Sequence, residues 1–253
     1  MNTQTSFIDN VTKISFLDHH IGETLLSANK ATSEAHTPSG RLSAGRLGDP
    51  LQWQVLYTIG VPQKEVDEYA VRLFKRGDHA ENWLLEKTPG LIEREKFVGY
   101  RDTVGFVDSI VDTNEWGLSF GTIPHEVKSV KNSKFKWIMR DGASRAHKLQ
   151  AGFYALPLEA KHFMISYIAA DDYRVETFLF ETDEVREEIE DIISAFQRVR
   201  ESGTIPAFEA LEKWQESPKY AKYPEFSDLS SQEAEVLLAD KYPKAYKLLK
   251  GIK

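Results

Sequence analysis

The chain has 253 residues, of which 28% are charged and 41% hydrophobic, with a formal net charge of −7 and no cysteine. That length supports one folded core with helical decoration rather than two full domains. Without thiols, disulfides, thiolate catalysis, zinc fingers and iron–sulfur clusters are excluded. Oxygen and nitrogen donors remain, which suit hard cations such as Mg²⁺ or Mn²⁺. The acidic balance argues against coating nucleic acid over the whole surface but leaves room for a local basic groove. Apolar stretches are short and broken by charges, so neither a spanning helix nor a signal peptide is read and a soluble, cytoplasmic protein is expected.

From Phe7 to Ala31 the apolar positions Ile14, Leu17, Ile21 and Leu25 fall at helical spacing, and Thr32 to Gly48 is a loop rich in Ser, Gly, Thr and Pro. Two helices follow, Leu51 to Gly60 and Glu65 to Glu86, the second amphipathic and interrupted near Gly77. Val104 to Val111 is a β-branched, apolar run with Asp108 inside it. A turn at Asp112 to Gly117 leads to a second strand through Pro124 to Val130, making a hairpin that carries acids. Ser144 to Leu156 reads as a helix, His162 to Ala169 and Val175 to Phe180 as paired strands, and Thr182 to Arg200 as a long helix. Beyond Pro206 the chain is polar and aromatic, and Ser230 with Glu233 forms a capping signal for a C-terminal helix. The expected architecture is α/β: a mixed central sheet flanked by helices, in one domain over 1–253. Within it, 1–48 is a leading helix and loop, 49–205 the core and 206–253 a C-terminal extension.

The chemistry concentrates in Gly105-Phe-Val-Asp108 and His125-Glu126-Val127-Lys128. On a strand Glu126 and Lys128 share a face, and pairing with the preceding strand brings Asp108 beside them. Phosphodiester hydrolysis uses such a set: carboxylates to hold a hard cation, and an ammonium to position water or offset charge. The Val127 carbonyl is a further oxygen ligand. An E-x-K triplet alone is usually a solvated strand face. Asp108 distinguishes this one, because an unpaired carboxylate inside a buried run costs on the order of 3 kcal/mol or more unless a cation or donors satisfy it. Asp112 competes for the same role but stands at a turn.

The order of these motifs resembles the RecB-like branch of the PD-(D/E)xK nucleases, which includes CRISPR-associated and lambda-type phage recombination exonucleases. Arg76-Gly77-Asp-His79-Ala-Glu81 is similar to that family's first-helix element. The Asp108 and Glu126-Val127-Lys128 strands are similar to its catalytic strands, and Gln150-Ala-Gly-Phe-Tyr154 to its Gln-x-x-x-Tyr helix. The resemblance covers about Arg76 to Tyr154 and implies a restriction-endonuclease-like core. It implies Glu81, Asp108, Glu126 and the Val127 carbonyl on the metal, with His79 the competitor to Glu81 or a neighbour that contacts DNA. Lys128 would orient water, and Gln150 and Tyr154 would contact DNA or brace the lysine. Many CRISPR-associated relatives carry an iron–sulfur cluster. Here Asp49-Pro50 and the segment from Trp214 to Pro224 resemble its two cysteine sites with the cysteines lost. The expectation is that Trp53, Trp214, Tyr220, Tyr223 and Phe226 hold the ends together by packing.

Lys131, Lys134, Lys136, Arg140, Arg145 and Lys148 form a local basic patch with His147, interleaved with Phe135 and Trp137. The patch follows the catalytic strand and is placed to run along a phosphate backbone. Trp137 either stacks on an unpaired base or belongs to the core. Arg41, Ser43 and Arg46 are further backbone-contact candidates. The combined reading is an Mg²⁺- or Mn²⁺-dependent deoxyribonuclease, with an exonuclease of phage or mobile-element DNA processing favoured by analogy. Its partners would be DNA with an end or single-stranded region and a recombination or single-strand-binding protein, in the host cytoplasm if phage-encoded. The alternatives are a structure-specific endonuclease, or a non-catalytic DNA-binding or CRISPR-adaptation accessory protein that keeps the fold.

Overall fold

The computed structural model describes residues 5–8, 11–14, 16–35, 38–207 and 221–251. Strands β1 (Thr5–Ile8) and β2 (Val11–Ile14) pair with each other, and helix α1 (Phe16–Ala35) follows. The rest is built on a mixed sheet of β3 (Leu42–Ser43), β4 (Leu91–Tyr100), β5 (Thr103–Asp112), β6 (Thr122–Val130), β7 (His162–Ala169) and β8 (Val175–Glu181). The path runs β3-β5-β6-β7-β8, with β4 also paired to β5. The β6–β7 and β3–β5 pairs are parallel and the others antiparallel. A parallel pair needs a long crossover. Here α4 (Asn132–Asp141) and α5 (Arg145–Ala155) supply it between β6 and β7.

The two sheet faces are covered differently. On one, Leu149 and Phe153 of α5, Ile189 and Phe196 of α6 (Asp183–Ser202) and Trp53 of α2 (Leu51–Thr58) pack with Val107, Ile110, Ile165 and Tyr167. The terminal helices α7 (Ser231–Lys241) and α8 (Pro243–Leu249) add Leu238 and Leu249 to that core. On the other face α3 (Glu68–Lys87) lays Ala80 and Leu85 against Val127 and Ile168.

One topological feature creates the site. Strand β4 occupies one edge of β5 along its length, so β3 and β6 share the opposite edge. Strand β3 takes Thr103 and Val104, and β6 takes Ser109 to Asp112. Residues 105–108 therefore face a gap where β6 has diverged, and Asp108 stands at its mouth.

The α/β class with a mixed, helix-flanked sheet is as the sequence predicts, and so are the β5–β6 and β7–β8 pairs. Four elements differ. The predicted helix from Phe7 begins only at Phe16, because the β-branched run Val11–Ile14 pairs with Thr5–Ile8. Helix α3 runs unbroken through Gly77, which packing against the sheet compensates. Strand β4 and helix α4 are not predicted by the pattern, since both are rich in exposed charges. The Ser230/Glu233 capping box is formed. Trp53 and Tyr223 meet edge-on at 6.4 Å, and Phe226, buried in the same core, stacks on Tyr242 at 6.1 Å. Trp214 and Tyr220 lie outside the described residues. Lys222 also pairs with both Asp49 carboxylate oxygens at 2.7 Å, at the two stretches that resemble lost cluster sites.

Candidate active site

Beyond the rung that pairs Ser109 with His125, β6 keeps N–H groups on the edge that β5 has left. Carboxylates satisfy two of them. Asp108 Oδ2 accepts from the Val127 N–H at 2.8 Å and Glu81 Oε1 from the Ser129 N–H at 3.0 Å. Two acids, one from β5 and one from α3, thus stand in for a missing strand and line up along β6. The N–H and C=O of one strand residue point to the same neighbour, so the Val127 carbonyl is on Asp108's side.

Close backbone approach makes the Glu81 contact feasible. A Cβ added at Gly77 would sit 2.7 Å from Ser129 Oγ. The glycine lets α3 lie on β6 so that the side chain four residues on reaches Ser129. His79 is exposed, and of the two first-helix candidates the structure brings Glu81 to the strand.

Glu126 is 1% exposed, and one of its oxygens binds the Lys128 ammonium. Its other oxygen, Oε2, is buried with no N–H donor, and the Glu126 and Asp108 carboxyls are themselves within hydrogen-bonding reach of each other. Burial pushes the Glu126 carboxyl up to about 8, with Lys128 opposing and Asp108 and Glu81 adding to the rise. Burial likewise raises Asp108 and Glu81, against the ammonium and their backbone N–H donors. Burial works against the Lys128 ammonium, yet Glu126, Asp108 and Glu81 together hold its pKa above the ordinary value. Three carboxyls gathered in a buried fork with a single ammonium among them leave negative charge that a divalent cation would neutralise on ionisation. Among the described residues no three His, Asp or Glu side chains form a ready-made cage. Mg²⁺ is commonly held by one or two carboxylates plus waters and substrate phosphate, so the donor set suits it.

Gln150 Nε2 donates to Tyr154 Oη at 3.1 Å. Tyr154 is buried beneath β5, where a Cβ on Gly105 would lie 2.8 Å from its ring. Burial, then the Glu126 charge, raises its pKa, so it stays a hydroxyl. The pair therefore lies under the strand that carries Asp108, while Lys128 bonds to Glu126.

The structure divides the basic patch. Lys131 and Lys134 line a groove with Leu73, Phe74, Arg76, Gly77 and the acid Asp78 that opens at Glu81 and Ser129, where Lys131 donates to Tyr69 Oη and lies over its ring and Arg76 pairs with Asp171. Arg140 is paired with Asp141 and Arg145 with Glu188, and Lys148 lies over the Phe180 ring, while Lys136 is exposed on α4. Trp137 is 66% exposed, so Phe135 and Ile138 carry the α4 core without it. On the early loop Arg46 pairs with Asp49 and Arg41 donates to the Arg101 carbonyl.

Sequence reasoning missed a polar chain behind the site. His125, fully buried, places Nδ1 at 3.0 Å from Ser109 Oγ and Nε2 at 2.7 Å from Ser166 Oγ, which is 2.7 Å from Thr177 Oγ1. Burial lowers the imidazole to about 4, leaving it neutral. In the sequence His147 stands out only as part of the patch. Its Nδ1 is 2.8 Å from Tyr167 Oη, and burial, then Lys128, lowers its pKa to about 3.

No family model and no curated protein matches the chain. Solved structures do. An alkaline exonuclease (LHK-Exo) from Laribacter hongkongensis matches at 16% identity and a TM-score of 0.47, over 70% of this chain and 91% of that one. The same exonuclease in complex with dAMP matches at 17% identity and 0.45, over 63% and 87%. SSO0001 matches at 17% identity and 0.42, over 69% and 86%.

Proposed function

We propose that this chain is a divalent-metal-dependent deoxyribonuclease that acts from DNA ends, with Mg²⁺ or Mn²⁺ as the cofactor and no iron–sulfur cluster. The observation that carries the proposal is the fork between β5 and β6. There Asp108 and Glu81 cap the Val127 and Ser129 N–H groups, and the buried Glu126 carboxyl, bonded to Lys128 through one oxygen, stands against Asp108 with no N–H donor on the other. Asp108, Glu126 and the Val127 carbonyl would hold the metal, with Glu81 on the same side. A bound divalent ion polarises the phosphate and lowers the pKa of a nearby water. Lys128 holds an ammonium at the fork, where it orients water and offsets charge developing on the phosphate. Asp108 is held at one oxygen by the backbone, so its orientation is preset. Gln150 and Tyr154 keep β5 in place. Lys131 and Lys134 present cations to the phosphates of a strand lying in the groove that opens at Glu81. DNA processing in phage or mobile-element recombination is the setting that the motif resemblance suggests, and it makes a recombination or single-strand-binding protein the natural companion.

The test is a time course on end-labelled linear and covalently closed circular DNA with Mg²⁺, Mn²⁺ or EDTA. Metal-dependent loss of the linear form alone supports the reading, and the label pattern gives the polarity. Cutting of the circle replaces it with an endonuclease. Binding without cleavage in any metal replaces it with an accessory protein.

A further inference from the structure

The buried chain Ser109–His125–Ser166–Thr177 links side chains of β5, β6, β7 and β8 and ends at the last paired rung before the fork opens. Both members of that rung adjoin acids of the site: Ser109 follows Asp108, and His125 precedes Glu126. The donors can be assigned without conflict. Ser109 Oγ donates to the His125 carbonyl at 3.2 Å, so it takes its hydrogen bond from Nδ1–H. Nε2 then accepts from Ser166, whose oxygen accepts from Thr177. One neutral tautomer satisfies every group. Trp116 closes the outer side, edge-on to the imidazole at 5.8 Å.

Stability alone gives no reason for this arrangement. Replacing a buried polar network by well-packed apolar groups of the same shape is often neutral or stabilising. What a fully bonded network adds is a fixed register and separation of strands. At this rung that separation decides how far Asp108 stands from Glu126.

We propose that His125 is a positioning residue: bonded to Ser109 and Ser166, it pins the rung from which Asp108 and Glu126 diverge and so sets the geometry in which they take a divalent cation. The inference rests on the metal-dependent reading of the fork. Groups that hydrogen-bond a ligand directly typically change metal affinity or activity by about 10- to 100-fold when removed, and His125, which acts through the adjoining rung, is expected at the low end of that range.

The experiment is calorimetric titration of Mn²⁺ into the full chain, with cleavage kinetics in parallel. His125→Leu is expected to weaken Mn²⁺ binding by about ten-fold or more and to lower kcat, with KM for DNA unchanged because the groove is untouched. His125→Gln, whose amide can both donate and accept, is expected to restore part of the affinity, which a volume effect would not do. Ser166→Ala, which removes only the Nε2 partner, is expected to show a smaller loss and serves as the test variant if His125→Leu does not fold. If wild type binds Mn²⁺ and the folded variants bind it as tightly and cleave as fast, the inference fails alone. If wild type binds no Mn²⁺, the metal-dependent reading falls and takes this inference with it.

Discussion

The Val127 N–H and the Asp108 carboxylate meet at 2.8 Å across the gap that β5 leaves beside β6. This hydrogen bond predicts a separation of stability from activity. In Asp108→Asn the amide oxygen can still accept from Val127, so the melting temperature changes little while metal-dependent cleavage falls at least about 100-fold. Asp108→Ala strands the N–H and costs about 1–3 kcal/mol in addition. Thermal melts and cleavage rates on the two variants distinguish them, and equal melting temperatures with equal activities contradict the account.

Glu126 gives a pH dependence whose sign is fixed. Its folded affinity for a proton is raised to about 8 by burial. A carboxyl raised in this way stabilises the metal-free chain below the ordinary carboxylate range and loses that contribution as pH climbs to about 8. A divalent ion replaces the proton, so the stabilisation by Mg²⁺ grows with pH. Melting curves with and without Mg²⁺ between pH 6 and 9 are expected to diverge upward, and those of Glu126→Gln are not. A constant Mg²⁺ effect across this range contradicts the assignment.

Two glycines carry a packing prediction. A methyl at Gly105 would meet the Ala44 Cβ and the Tyr154 ring, each at 2.8 Å, and one at Gly77 would meet Ser129 Oγ at 2.7 Å. Gly105→Ala is expected to cost about 1–3 kcal/mol by overpacking. Gly77→Ala meets only the rotatable Ser129 hydroxyl and gains helix propensity, so it is expected to cost less than Gly105→Ala and to leave the Ser129–Glu81 bond and activity close to wild type. Melts and rates measured on both variants check this ordering.

The divided basic patch predicts unequal effects on DNA binding. Replacing Lys131 and Lys134 by Gln is expected to weaken binding for all sequences and to flatten the plot of log K against log salt by about 0.9 for each phosphate no longer neutralised. Arg145→Gln, already paired with Glu188 in the wild type, is expected to change the slope little. Equal slopes for the two variants would falsify the placement of the strand in the groove.

Much of this was legible in the sequence because it depends on local pattern. Period-two spacing puts Glu126 and Lys128 on one face, and Gln150 and Tyr154 are one helical turn apart and bonded. Strand β4 was not legible: Glu93, Arg94, Glu95 and Lys96 carry no apolar alternation, and the strand is held by pairing with β5 rather than by burial. Helix α4 is hidden by its lysines in the same way, with only Phe135 and Ile138 buried. The sequence offered Glu81 and His79 side by side, and only the packing of α3 on β6 through Gly77 separates them. His125, Ser109 and Ser166 had no signal beyond polar residues inside apolar strands, because their partners are 16 and 41 positions apart in the chain.

The central claim is that the β5–β6 fork is a divalent-cation site. Anomalous diffraction from crystals of the protein grown with Mn²⁺ tests it most directly. The account predicts a peak about 2.1 Å from oxygens of Asp108 and Glu126 and near the Val127 carbonyl. Full Mn²⁺ occupancy elsewhere, with no peak at the fork, would contradict it.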